Sequence, residues 1–361
     1  MAIKNIKVEK FTVFENLEIE FSDGVNVFIG DNGTGKTHLL KLLYALCNYE
    51  YNKIKNDVDL KEQFMEELRS IFQGDYDYRF IKNHMDDKNA NFFVNERGNI
   101  DDNLNSLPKA LIKISFFSDK TKHELVLLYH VVKATELPPV HGNSRRQKKK
   151  IPSVFIPAKD MLSHSGLEKD FAERNLTFDT TLIDILNKAG VSTLRNVEKA
   201  MCTIMDKISK IIGGKIVYKN DRYFVEKLNG MLVEFSLEAE GFKKLGALYR
   251  LIETGHIKNG CVLIWDEPES NLNPKNIPIL VNLLLELSRN GVQVFLATHE
   301  YNLMKYFSIK MKATDKVAFH CLYHGEEGVE CESEEDYDLL NNNLIIDADI
   351  QMVRDEIGGN A

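Results

Sequence analysis

The stretch Val25-Asn-Val-Phe-Ile-Gly-Asp-Asn-Gly-Thr-Gly-Lys-Thr37 fixes how the remaining residues are read: an apolar β run breaks into a glycine-rich turn and reopens as a helix over Thr37–Tyr49. Gly30, Gly35, Lys36 and Thr37 satisfy the phosphate-loop pattern G-x-x-x-x-G-K-[ST]. Glycines let backbone N–H groups turn inward toward phosphates at a helix N-terminus, where the helix dipole already favours an anion. In that arrangement Asp31, Asn32, Gly33 and Thr34 complete the cradle, Lys36 reaches the β and γ phosphates of ATP, and the Thr37 hydroxyl binds magnesium. The competing reading is an ordinary glycine turn. Average residue usage gives a chance match about once in a hundred chains of this length, and the strand before and helix after make it rarer still.

The chain has 361 residues, enough for one large or two smaller domains. Hydrophobic residues make up 43% and charged residues 28%, the balance of a soluble globular protein. With 54 acidic against 46 basic residues the net charge is -8, so contact with nucleic acid requires a local basic patch. Cys47, Cys202, Cys261, Cys321 and Cys331 stand far apart with no C-x-x-C pair, which points to a reducing compartment. Residues Ile3 to Phe11 alternate as a strand and do not read as a signal peptide, and no apolar run reaches the roughly 20 residues that span a bilayer. The expectation is a cytoplasmic protein with no membrane partner.

Ile3 to Val8 and Leu17 to Phe21 alternate with period two and are expected to pair ahead of the buried run Val25 to Ile29. Asp57 to Phe72 has helical spacing, Gln73 to Leu107 reads as a looped insertion, and Leu111 to Phe117 and Glu124 to Val132 return to strand character. The densest basic cluster, Ser144-Arg-Arg-Gln-Lys-Lys-Lys150, is a solvated loop or, through Arg145–Lys150, a contact to a phosphate backbone. A proline-interrupted strand follows over Ile151 to Ile156. Thr193 to Ile212 is amphipathic, with Leu194, Val197, Met201, Ile204, Met205, Ile208 and Ile211 on one face. Asn229-Gly230 signals a hairpin between Arg222–Leu228 and Met231–Leu237. A helix over Glu240 to Thr254 stops at Gly255. Cys261 to Trp265, Val292 to Ala297 and Lys316 to Tyr323 read as buried strands, with a helix over Asn276 to Arg289. Such alternation indicates an α/β domain around a mostly parallel sheet. Glu326 to Asp338 reads as an acidic solvated surface ahead of a short C-terminal helix.

Cys261-Val-Leu-Ile-Trp-Asp266-Glu267 has the form of a Walker B strand, an apolar run ending in adjacent carboxylates. Asp266 at the strand end suits magnesium, and Glu267 suits orienting and deprotonating an attacking water. Ser270-Asn-Leu-Asn-Pro274 follows, and the next strand ends in Thr298-His299, where a histidine can reach the γ-phosphate or the water.

In their order these motifs resemble the head domain of ABC-type ATPases, in the branch of structural-maintenance-of-chromosomes heads, RecF and OLD-family ATPases. The resemblance implies a P-loop NTPase fold with a mostly parallel sheet, an antiparallel β subdomain and an inserted helical lobe. It makes Asp266-Glu267 the Walker B pair with its catalytic glutamate, Ser270 to Asn273 the D-loop with Asn271 and Asn273 near nucleotide, and His299 the switch histidine. Leu237-Glu-Ala-Glu-Gly241-Phe-Lys-Lys244 falls at the signature motif, whose Ala239, Glu240 and Gly241 would close on nucleotide held by a partner copy. Two departures stand out: Ala239 replaces the signature serine, and Ala158-Lys159-Asp160 occupies the place of the Q-loop glutamine. By the same resemblance an N-terminal ATPase lobe spans 1–160 with an insertion at about 50–110. A helical lobe and hairpin cover 161–235, a C-terminal ATPase lobe 236–325, and an acidic stretch and helix 326–361. Also implied are ATP and Mg2+ as cofactors and a head-to-tail ATP-sandwich homodimer. The resemblance further suggests slow hydrolysis and a separate effector such as a nuclease or toxin in bacterial anti-phage defence. A RecF-like DNA-binding ATPase of DNA repair, contacting DNA through Arg145–Lys150, is the alternative.

Overall fold

The computed structural model describes residues 2–48, 67, 68, 70–72, 109–118, 121–130, 151–167, 169, 179–326, 328–343, 345, 351 and 353–356, with 109–130 described by backbone pairing. The central sheet owes its arrangement to strands that are apolar on both faces. It contains β3 (Val25–Gly30), β6 (Ser153–Ile156), β10 (Val262–Asp266), β11 (Gln293–Ala297), β12 (Val317–His324) and β13 (Val329–Glu334), ordered β13-β12-β3-β11-β10-β6. All neighbours are parallel except β12 and β13. Side chains alternate between faces, so the inner strands feed two cores: Val25, Val27, Leu263, Trp265, Val294 and Leu296 enter one, and Phe28, Val262, Ile264 and Phe295 the other, while the edge strand β13 contributes Val329 to the second alone.

The second core is closed by β1 (Ala2–Phe11) and β2 (Phe14–Glu20) together with helix α1 (Lys36–Asn48), and β1 continues by backbone pairing into β4 (Lys109–Ser118) and β5 (Thr121–His130), giving an antiparallel sheet ordered β2-β1-β4-β5. The first core is closed by helices α2 (Thr180–Gly190), α3 (Lys199–Ile212), α4 (Glu240–Glu253), α5 (Ile277–Arg289) and α6 (Tyr301–Lys310). A small antiparallel sheet, β7 (Gly214–Lys219), β8 (Arg222–Lys227) and β9 (Leu232–Glu234), leads into α4. The fold is therefore α/β, mostly parallel at its centre, with an antiparallel β subdomain and a helical lobe.

Several expectations need correction. Helix α3 begins at Lys199, not Thr193, because residues 191–198 run extended or bent after Gly190. Leu194 is consequently off the helix and 47% exposed, and the buried stripe is Met201, Ile204, Ile208 and Ile212. The hairpin at Asn229-Gly230 is present, but Phe235–Leu237 turns as a 3-10 helix, and β7 adds a third strand through the Asn220–Asp221 turn, where both residues have positive φ. The acidic run contains β13, which pairs with β12 through its backbone while Glu330 and Ser333 stay exposed, as an edge strand allows. Helix α6 was not anticipated. Of the expected helix Asp57–Phe72, residues 67, 68 and 70–72 are helical; the rest of it, the insertion Gln73–Leu107 and the basic cluster Ser144–Lys150 lie outside the described residues. Among the described residues no helix is long and apolar enough to cross a membrane.

The two sheets are tied together by one buried side chain. Gln293 Oε1 accepts from the Ile3 N–H at 2.8 Å, while its Nε2 donates to the carbonyls of Ile3 and Ser22, each at 2.8 Å. Replacing Gln293 with Leu leaves those backbone groups buried without partners and should lower unfolding free energy by about 2–4 kcal/mol, measured by urea unfolding.

Candidate functional site

Three parallel strands deliver their C-terminal ends to one edge of the central sheet, the position where open α/β sheets bind ligands. β3 ends in the glycine loop, β10 in Asp266-Glu267, and β11, lying between them, in Thr298-His299. The loop needs its glycines for space as well as conformation. Gly30 has φ +137°, and a Cβ there would lie 2.0 Å from the Leu322 carbonyl oxygen on β12. At Gly35, φ +85°, a Cβ would strike Val13 and Phe14 in the β1–β2 turn. Gly33, φ +82°, faces open space.

Lys36, 6% exposed, donates through Nζ to the carbonyls of Gly30 at 2.8 Å and Asp31 at 2.7 Å. Burial lowers its pKa, opposed by the negative charges of Asp266, Asp31 and Glu267. Thr34 is fully buried and its Oγ1 donates to the Asp31 carbonyl, while the Asn32 N–H is bonded to the Asp31 carboxylate. Thr37 Oγ1 donates to Asp266 Oδ2 at 3.0 Å. Burial raises the Asp266 pKa, and the Thr37 bond pulls the other way.

Beside this pair, Glu267 and His299 meet at 3.0 Å between Oε1 and Nε2, with Glu267 partly buried and His299 exposed. Glu267 adopts φ +46° and Asn271 φ +62°, left-handed conformations that are uncommon for a residue such as Glu267. Ser270 N–H donates to the Glu267 carbonyl at 3.2 Å, closing the turn. Glu269, 9% exposed, accepts from Thr298 Oγ1 at 2.7 Å, and among the described residues its other oxygen makes no hydrogen bond. Burial raises its pKa.

Phosphate-loop residues 30–37, Asp266, Glu267 and His299 thus share one site. Ala239 and Glu240 sit elsewhere, exposed at the N-terminus of α4, which carries no side-chain cap. Within its own chain Gly241 packs tightly: a Cβ on it would meet the Asn271 oxygen at 2.7 Å and Leu272 Cα at 2.8 Å. Asn273 spends its side-chain oxygen on the Lys275 N–H, capping the turn Pro274–Asn276. Asp160 accepts from the Leu162 N–H and lies 3.9 Å from Lys243, contacts that engage it in the fold. Glu269, Thr298 and Lys244 join the site although the motifs quoted above give none of them a role. The signal was available in a buried-strand neighbour written Asp-Glu-Pro-Glu and in two adjacent lysines on an apolar helix.

The profile of the family described as "AAA domain, putative AbiEii toxin, Type IV TA system" matches residues 25–305. The DNA replication and repair protein RecF of Listeria welshimeri is 38% identical over 78 residues, 20% of this chain and 21% of that protein. RecF of Bacillus mycoides is 32% identical over 90 residues, 25% of this chain and 21% of that protein. The chain therefore spans about a fifth of the length of these curated relatives. The SMC head domain from Thermotoga maritima superposes with TM-score 0.47 at 16% identity, covering 92% of this chain and 98% of that one. An Smc head bound to the C-terminal domain of ScpA from Pyrococcus furiosus gives TM-score 0.49 at 11% identity, covering 92% and 96%.

The glycine geometry separates two substitutions. Gly30→Ala combines a backbone clash with positive φ and should destabilise the fold by about 2–4 kcal/mol and abolish binding of a fluorescent ATP analogue. Gly33→Ala, facing open space, should cost about 1 kcal/mol. Thermal unfolding and fluorescence titration of the pair check this.

Proposed function

The chain belongs to the AAA-domain family whose profile spans residues 25–305, and we propose that it is an ABC-type ATPase of the SMC and RecF kind acting as a nucleotide-gated switch: two copies bind ATP between them, and hydrolysis releases them. The observation that carries this reading is the 3.0 Å bond from Thr37 to Asp266, which joins the phosphate loop to the acidic strand end beside the Glu267–His299 pair.

Lys36 would leave the loop carbonyls for the β and γ phosphates, placing its charge where negative charge accumulates as the terminal phosphoryl departs. Thr37 Oγ1 and Asp266 Oδ2 are hard oxygen donors that suit magnesium, and the burial that disfavours a lone Asp266 charge would be relieved by a cation there. Magnesium bound at that pair supplies charge neutralisation on the phosphate oxygens. Glu267 accepts the proton of the attacking water as the water oxygen bonds to the γ-phosphorus and the bond to the ADP oxygen breaks. His299 holds the Glu267 carboxylate and faces the same water. The uncapped, exposed N-terminus of α4, with Ala239 to Gly241 in its first turn, is suited to an anion on another molecule. Ala239 supplies no hydroxyl there, which favours slow turnover.

ATP state is then reported by assembly of a cytoplasmic homodimer, and a separate effector reads it. The family description names a putative toxin and a Type IV TA system for the family itself; a separate toxin or nuclease effector in anti-phage defence is our extension of the proposal. A second reading, a DNA-binding ATPase of repair acting through Arg145–Lys150, is favoured by the RecF similarity.

Glu267→Gln should lower turnover by about 100-fold or more and hold an ATP-bound dimer visible by native mass spectrometry. Unchanged turnover together with a monomeric mass would sink the reading.

A further inference from the structure

Lys244 lies one turn inside α4, 5% exposed, and reaches out of its helix to the turn that follows β10. Its Nζ donates to the Glu267 carbonyl at 2.5 Å and to Ser270 Oγ. Both acceptors belong to the short turn in which Glu267 stands at φ +46°. The backbone holds that turn by two further bonds, Glu267 N–H to the Ala297 carbonyl at 3.0 Å and Ser270 N–H to the Glu267 carbonyl at 3.2 Å. One ammonium thus clamps the two ends of a turn that a residue with a side chain adopts only when its surroundings enforce it. A lysine removed from water needs compensation, and Glu269, Glu267, Asp266 and Glu240 supply it in that order of influence.

Gly241 makes a second join between the same two segments, because its missing Cβ leaves room for the Asn271 carbonyl and Leu272. The exposed first turn of α4 and the turn bearing Glu267 are therefore packed as one piece.

We propose that Lys244 is a positioning residue for hydrolysis: its bonds to the Glu267 carbonyl and the Ser270 hydroxyl fix the left-handed turn that aims the Glu267 carboxylate, and they couple that aim to the seating of the α4 N-terminus on a partner copy. The proposal rests on the assignment of Glu267 made above. Neutralising buried Glu269 is the purely structural role that Lys244 could fill instead, and the two roles differ in what they do to kinetics.

The test is ATP hydrolysis by the full chain, steady-state and single-turnover, for Lys244→Met, Lys244→Arg and Ser270→Ala, each with and without Glu267→Gln. Lys244→Met should lower kcat about 100-fold, the scale of a misplacement of roughly 1 Å, and leave the KM for ATP within about twofold. In the Glu267→Gln background the same change should have no further effect, since nothing remains to be aimed. Lys244→Arg, which keeps charge and donors, should recover part of the loss. Unchanged kcat in Lys244→Met, or a loss that multiplies with that of Glu267→Gln, would overturn the proposal. Should Lys244→Met fail to fold, Ser270→Ala carries the test: about tenfold lower kcat, again absent with Glu267→Gln, supports the clamp, and full activity overturns it. Wild-type turnover in Glu267→Gln would remove the assignment of Glu267 and this proposal with it. That result is distinct from an enzyme that depends on Glu267 and is indifferent to Lys244.

Discussion

The hydrogen bond from Thr37 Oγ1 to Asp266 Oδ2 is the contact on which the geometry of the site depends. It joins residues 229 positions apart in the chain, and it exists only because β3 and β10 run parallel with β11 between them. The interposed strand has a chemical consequence of its own. It places Thr298 and His299 between the phosphate loop and the acidic pair, so Glu267 and Glu269 each find a partner from β11's end. The core is built to hold this register. Strands apolar on both faces cannot slip by one residue without exchanging two complete sets of core side chains.

Against that rigid background the site itself accumulates unfavourable features. Glu267 and Asn271 sit in left-handed backbone, Lys36 and Lys244 are removed from water, and Asp266 and Glu269 have carboxyl groups whose charge burial opposes. Among these, the burial of the Lys36 and Asp266 charges is what a polyphosphate and a cation would relieve. The site is therefore read as preorganised for a charged ligand, with its cost borne by the two cores beneath.

The phosphate loop, the acidic strand end and the histidine were legible in the sequence because each is short, local and dictated by chemistry at fixed spacing. The central strands were legible for a related reason: continuous apolar runs such as Val262–Trp265 have few alternatives in a folded chain. What escaped was set by contacts remote in sequence. Leu194 fits the helical period but stands outside the helix, since residues 191–198 are held extended against the end of α4, where the Leu194 N–H donates to the Glu253 carbonyl. β13 was hidden by its charge, because an edge strand needs only one side compatible with pairing. The packing of Gly241 against the chain's own Asn271 and Leu272 depends on a turn 30 residues further on, about which the local sequence is silent. Lys244 looks like a solvated charge until the turn it clamps is seen.

The central claim is that each nucleotide site is shared, with the phosphate loop from one copy and the α4 N-terminus from another. Mixing two inactive variants examines it directly: Lys36→Ala, which lacks the phosphate-binding ammonium, and Ala239→Trp, which blocks the exposed helix end. A mixed dimer regains one intact composite site, so equal mixtures of the two should recover about a quarter of the wild-type ATPase rate. A mixture as inactive as its components, or full activity in Ala239→Trp alone, would contradict a shared site.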